Sequence, residues 1–147
     1  MPENSLLFKN ARLVFPDRIE PFGDLRVSDG RIAAMGPSLT PEEGETVVDL
    51  TGRYLAPGFI DIHIHGAVGR DTMEATEDAF DAICEFHASG GTTALALTTI
   101  SAPIPDIVAV LRKVEAYRQK SHPGARVLGV HVEGPYFNVE KKGAHLP

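Results

Sequence analysis

His63 and His65, separated by one residue, close a short apolar run at 59–65. A β-strand turns successive side chains to opposite faces, so both imidazoles would point one way while Ile62 and Ile64 point the other. Two imidazoles on one face can chelate a divalent metal. A hydrogen-bonded pair at a strand end is the competing reading; Asp61, of the same parity, and Gly66, which terminates the run, favour ligation. Glu133 closes a comparable run at 126–133, within Leu128-Gly-Val-His-Val-Glu-Gly-Pro. At an equivalent strand end its carboxylate would add an anionic oxygen to the two nitrogens, a mixture that suits Zn²⁺ or Fe²⁺ and leaves a position open for water. Helix capping or an ordinary salt bridge is the alternative for a lone acid, and the place before Gly134-Pro135 favours ligation. His131 shares the parity of Glu133 but lies deeper, and reads as packed and hydrogen-bonded.

His145 follows Lys141-Lys-Gly-Ala in the loop after Glu133, close enough to fold back over these donors and offer a hydrogen bond to a developing oxyanion. Spacing alone equally allows an exposed loop histidine. Lys141 and Lys142 could attract an anionic substrate or simply be solvated. His87 reads as packed on its helix, His122 beside Pro123-Gly124 as part of a turn, and Cys84 as a helix-core thiol. Threonines in the run 92–99 could bring hydroxyls to the second strand's end, though β-propensity accounts for them equally well.

The elements that must position these groups fall into two regions. Short runs at 6–8, 11–15, 24–27, 31–35 and 46–50 read as strands, with a surface loop over 36–45. Asp29-Gly30 is a hairpin signal, because a type I′ turn needs positive φ at both central residues. After Pro57-Gly58 the order becomes strand 59–65, helix 75–89, strand 92–99, helix 104–119 and strand 126–133. Phe80, Ile83, Cys84 and His87 recur at helical spacing, as do Ile107, Val110, Leu111, Val114 and Tyr117. Alternating strands and amphipathic helices imply parallel βαβ units with right-handed crossovers. The first βα turn lacks the G-x-G-x-x-G of a dinucleotide fold, which favours the start of a (β/α)₈ barrel. The expected organisation is therefore α/β: part of a small β-sandwich at 1–56, then the first βα units of a barrel at 57–147. About three of eight units are present, so the barrel is expected to be incomplete in this chain.

The chain has 147 residues and a formal net charge of −6, with 43% hydrophobic and 23% charged residues. That composition is globular, and the acidic balance argues against a nucleic-acid or anionic-membrane surface. One cysteine excludes an internal disulfide and a multi-cysteine zinc site, and fits a reducing, cytoplasmic setting. The N-terminus has no basic start followed by an apolar stretch, and no segment approaches the roughly 18 apolar residues of a membrane span.

Three blocks, Ala56-Pro-Gly-Phe-Ile-Asp-Ile-His-Ile-His-Gly, Gly90-Gly-Thr-Thr, and His131-Val-Glu-Gly-Pro-Tyr-Phe-Asn with Lys141-Lys-Gly-Ala-His, make the sequence resemble the amidohydrolase superfamily and, within it, the N-acetylglucosamine-6-phosphate deacetylases. The first block is shared across the superfamily; the third is more specific. The likeness spans the whole chain, and Asp29-Gly30-Arg31-Ile32 looks like part of that family's small β-sandwich. The resemblance implies a metal-dependent hydrolase that releases acetate from a small phosphosugar, with no nucleic-acid or membrane partner and with the complete protein a homodimer. Glu133 matches the principal metal ligand; His63 and His65 are both retained, which allows one or two ions; Ala144 and His145 match substrate-contact positions, with the histidine polarising the acetamide carbonyl. The general base and the phosphate-binding residues of the family come from later strands, outside this chain. The alternatives are a catalytically inactive fragment and an amidohydrolase acting on a cyclic amide.

Overall fold

The computed structural model describes residues 5–145, which divide into two compact units, Met1–Pro57 and Gly58–Pro147. The first unit is a single sheet of β1 (Ser5–Val14), β2 (Ile19–Ser28), β3 (Arg31–Gly36), β4 (Thr46–Asp49) and β5 (Tyr54–Leu55). The order is β3-β2-β1-β4, with β5 also paired to β1. β1 runs antiparallel to β2 and parallel to β4 and β5. The Asp29-Gly30 turn has positive φ at both residues, 51° and 72°, as the hairpin reading requires.

The runs expected as two strands, 6–8 and 11–15, are one continuous strand interrupted by a bulge, with a register shift between Phe8 and Ala11. Asn10 sits there at φ 61°, and its N–H donates to Asp24 Oδ1 at 2.9 Å. Asparagine tolerates the left-handed region better than most residues, so a dipeptide that looks like a turn becomes a bulge once a buried carboxylate caps it. β2 likewise begins at Ile19 rather than Asp24, because Pro21 falls at a second register shift, where its missing N–H breaks no ladder bond. β5 is too short to be read from sequence.

Asp24 is 2% exposed. Burial alone would raise its pKa, but the Leu39 and Asn10 N–H groups and the Lys9 ammonium hold it below the usual carboxylate range. Glu45 fastens the far end of the 36–45 loop in a two-pronged pair with Arg26, at 2.7 and 3.0 Å, and accepts from Ser5 Oγ. The Arg26 guanidinium is the main cause of its pKa falling to about 2. A carboxylate depressed from 4.5 contributes stability above about pH 4.5 that disappears as the pH falls toward 2. Glu45→Gln is thus expected to flatten the acid limb of a melting-temperature profile between pH 5 and pH 2. A limb of unchanged steepness would assign acid sensitivity to other carboxylates, Asp24 first among them.

The second unit contains β6 (Phe59–Ile64), β7 (Gly66–Ala67), β8 (Arg70–Asp71), α1 (Glu77–Ser89), β9 (Thr92–Thr98), α2 (Ile104–Arg118) and β10 (Arg126–His131). β6, β9 and β10 form a parallel sheet with β9 in the middle, the βαβ arrangement that the alternating pattern implied. The strands end sooner than expected: β6 at Ile64 and β10 at His131, so His65 and Glu133 lie just past their strands. The β7–β8 hairpin was not anticipated. Its Gly66 is required by a close approach, since a Cβ there would sit 2.1 Å from the Arg70 carbonyl oxygen. α1 starts at Glu77, two residues later than expected, because Thr76 caps it by accepting the Ala79 N–H at 3.3 Å.

The core lies between the helices and the sheet: Phe80, Ile83 and Cys84 from α1, Val110, Val114 and Tyr117 from α2, and Ile64, Leu95, Leu97 and Val127 from the strands. Phe80 and Tyr117 meet edge to face at 5.2 Å, and the Tyr117 hydroxyl donates to Asp81 at 2.6 Å. Burial pushes the Cys84 thiol up to about 11. Gly124, at φ +73°, passes so close to the Cys84 backbone that a Cβ would lie 2.4 Å from its carbonyl carbon. The next residue, Ala125, donates its N–H to the Cys84 carbonyl. His122 stacks on Tyr117 at 4.5 Å. Among the described residues no helix is long and apolar enough to cross a membrane.

Candidate metal centre

The histidine pair is set by the buried residue between its members. Ile64 is 4% exposed, and its N–H donates to Thr98 Oγ1 at 2.9 Å, anchoring the end of β6 to β9. With Ile64 turned into the core, both flanking imidazoles turn the other way, and their Nε2 atoms lie 3.2 Å apart. Glu133 is carried to the same place by β10 and by Thr99, whose Oγ1 accepts the Glu133 N–H at 3.2 Å and whose own N–H donates to the His131 carbonyl at 3.0 Å. Thr98 and Thr99 are fully buried. Their hydroxyls tie neighbouring backbones together, Thr98 to Ile64 and Thr99 to Glu133.

The two oxygens of Glu133 have different partners. Oε2 is 2.9 Å from Nε2 of both His63 and His65. Oε1 is 3.0 Å from Nε2 of His145. The hydrogen bond from His145 is the main reason the Glu133 pKa is lowered; burial opposes it, and His63 and His65 add to it. His145 is only 8% exposed, unlike an ordinary loop histidine. Its Nδ1 receives the Ser101 N–H at 3.3 Å, and the Phe137 ring lies against it at 4.3 Å.

His63, His65 and Glu133 present three donor atoms within 4.8 Å of one another. Their separations of 2.9 to 3.2 Å approach the ~3.3 Å between neighbouring ligands of a tetrahedral ion with bonds of ~2.0–2.1 Å. Two imidazoles and a carboxylate are also the donor types that Zn²⁺ and Fe²⁺ accept, so the residues fit a divalent metal.

The remaining candidates take supporting places. His131 is hydrogen-bonded through Nδ1 to the Ile62 carbonyl at 3.1 Å, but it is only half-buried and lies edge-on to His63 at 4.5 Å. Asp61 accepts the His63 N–H at 3.0 Å and so shapes the backbone below the donors. Ala144 is exposed, and Lys142 Nζ binds the His145 carbonyl. The sequence left the threonines of 92–99 open between a place at the site and plain β-propensity, and it did not single out Ser101 or Phe137.

The amidohydrolase family profile matches residues 54–146, well over half of the chain. The chain belongs to the amidohydrolase family. Among its relatives, this amidohydrolase is 39% identical over 126 residues to the N-acetylgalactosamine-6-phosphate deacetylase of Escherichia coli O157:H7, covering 84% of the chain and 31% of the relative. It is similar in structure to the N-acetylglucosamine-6-phosphate deacetylase of Pasteurella multocida, with a TM-score of 0.86, 29% identity, and coverage of 97% of this chain and 37% of the other. The corresponding enzyme of Thermotoga maritima gives a TM-score of 0.76 and 35% identity, with 95% and 35% covered. The amidohydrolase chain thus spans about a third of the length of these relatives.

Proposed function

We propose that the chain belongs to a metal-dependent deacetylase that hydrolyses the acetamide of N-acetylglucosamine 6-phosphate to glucosamine 6-phosphate and acetate. The observation that carries this reading is a single carboxylate, Glu133, placed between a histidine pair on one oxygen and a buried histidine on the other. The deacetylase relatives supply the substrate class. His63, His65 and Glu133 hold one or two divalent ions, Zn²⁺ or Fe²⁺. When bound, such an ion supplies Lewis-acid polarisation and makes water a nucleophile near neutral pH.

The chain's own residues do the rest of what these strands contribute. His145 donates from Nε2 to the oxygen of the acetamide as it gains charge, and Glu133 Oε1 keeps that donor aimed before substrate arrives. Thr99 fixes the Glu133 backbone and His131 buttresses His63, so neither moves when charge develops. We place these groups at the mouth of a (β/α)₈ barrel. The general base and the phosphate-binding residues come from later barrel strands corresponding to the part of the relatives that this chain does not span.

Acetate release from N-acetylglucosamine 6-phosphate and from its galactosamine epimer tests the reading, with Zn²⁺ or Fe²⁺ and a chelator control. The epimer is included because the Escherichia coli relative bears its name. The protein extended to the relatives' length is expected to release acetate in a chelator-sensitive way, and the 147-residue chain alone to bind metal without turnover. Opening of a cyclic amide without acetate release would overturn the assignment. In the extended protein, His145→Ala is expected to lower kcat by about 100- to 1,000-fold, with a much smaller change in KM, since the hydrogen bond strengthens as the oxyanion forms. A loss confined to KM would make His145 a substrate-positioning residue.

A further inference from the structure

A neutral imidazole carries its proton on one nitrogen only, and the partner of the other nitrogen decides which. His145 Nδ1 faces the backbone N–H of Ser101 at 3.3 Å. An N–H can only donate, so Nδ1 accepts and the proton lies on Nε2. That nitrogen faces Glu133 Oε1 at 3.0 Å, and an ionised carboxylate can only accept. We propose that the Ser101 backbone N–H is a positioning group that locks His145 in its Nε2–H tautomer, so the loop after β9 determines which histidine nitrogen donates. The inference deepens the deacetylase reading by naming the group that makes Nε2 the donor, and rests on that reading only for its catalytic consequence.

Three observations support the lock. The ring has little room to turn, being 8% exposed and covered by Phe137 at 4.3 Å. Turning it over would set a carbon against Ser101 N–H and leave a part-buried donor without an acceptor. The loop after β10 is also fitted against Ser101. A Cβ on Gly134, at φ +82°, would come within 2.5 Å of Ser101 Oγ and 3.0 Å of Phe137. Finally, Ser101 Oγ is buried and makes no hydrogen bond among the described residues. The side chain is therefore a spacer, and the main-chain N–H is the working group.

The test is nuclear magnetic resonance on the ¹⁵N-labelled 147-residue chain. The expected result is a protonated Nε2 and an unprotonated Nδ1 on His145, with a scalar coupling across the hydrogen bond from Ser101 N to His145 Nδ1. Ser101→Ala, which keeps the N–H, is expected to leave both signatures in place. Ser101→Pro, which removes it, is expected to abolish the coupling and mix the tautomers. A protonated Nδ1 in the unaltered chain overturns the proposal, as does a folded Ser101→Pro variant that retains the single tautomer. Should that variant not fold by circular dichroism, the coupling in the unaltered chain decides: its presence supports the lock and its absence refutes it. Because this readout needs no turnover, a failed acetate assay counts against the deacetylase reading and not against the tautomer lock.

Discussion

Glu133→Gln is expected to weaken zinc binding by about 100-fold or more, beyond what loss of an outer-sphere partner usually costs. The carboxylate presents Oε2 to both histidine Nε2 atoms at 2.9 Å and Oε1 to His145 at 3.0 Å. Glutamine has nearly the same shape but one acceptor and one donor end. Its oxygen would take the hydrogen bond from His145, which turns the NH₂ toward His63 and His65. There it would occupy the nitrogen lone pairs that a metal needs, besides removing the negative charge. Isothermal titration with Zn²⁺ checks the expectation, and an affinity within a few-fold of the unaltered chain would move the metal elsewhere. His145→Ala is the natural control, since it leaves all three donors in place.

Phe80→Ala is expected to lower the unfolding free energy by about 3–5 kcal/mol, the range for emptying a buried aromatic site. Phe80 is fully buried and is the largest such side chain among the described residues. Its ring joins α1 to α2 through Tyr117. Tyr117 is itself held by Asp81 and flanked by His122, so the surroundings have little freedom to close over the cavity. Urea denaturation measures the loss. A change below about 1 kcal/mol would mean that the packing between the two helices contributes little to the fold.

How far the sequence revealed this architecture depended on whether a feature is periodic. Both helices and all three parallel strands were legible because burial repeats along them: Phe80, Ile83 and Cys84 on one helix, Val110, Val114 and Tyr117 on the other. The I′ hairpin was legible because positive φ demands Asp29-Gly30 or something much like it. The geometry brings His63, His65, Glu133 and His145 together, as their spacing and family likeness suggested. What stayed hidden is tertiary. The bulge at Asn10 exists because Asp24, fourteen residues away, caps its N–H. The threonines that seat Ile64 and Glu133 could be explained by β-propensity alone, and only the fold aims Thr98 at Ile64 and Thr99 at Glu133. Ser101 acts through its main chain, so no side-chain pattern could have exposed it.

The lone thiol at the centre of the second unit gives the molecule a built-in clock. Cys84 is fully enclosed, with its ionisation pushed up to about 11, so a thiol reagent finds neither access nor thiolate in the closed state. Gly124 and Ala125 press on the backbone at Cys84, and its side chain belongs to the core shared by α1, α2 and the sheet, so exposing the sulfur requires that core to open. Labelling of Cys84 by a disulfide reagent is thus expected to follow an opening equilibrium, with a rate that saturates at high reagent concentration. Well below saturation, the ratio of the labelling rate to that of an unfolded thiol at the same reagent concentration measures the free energy of opening, without denaturant and without a second probe.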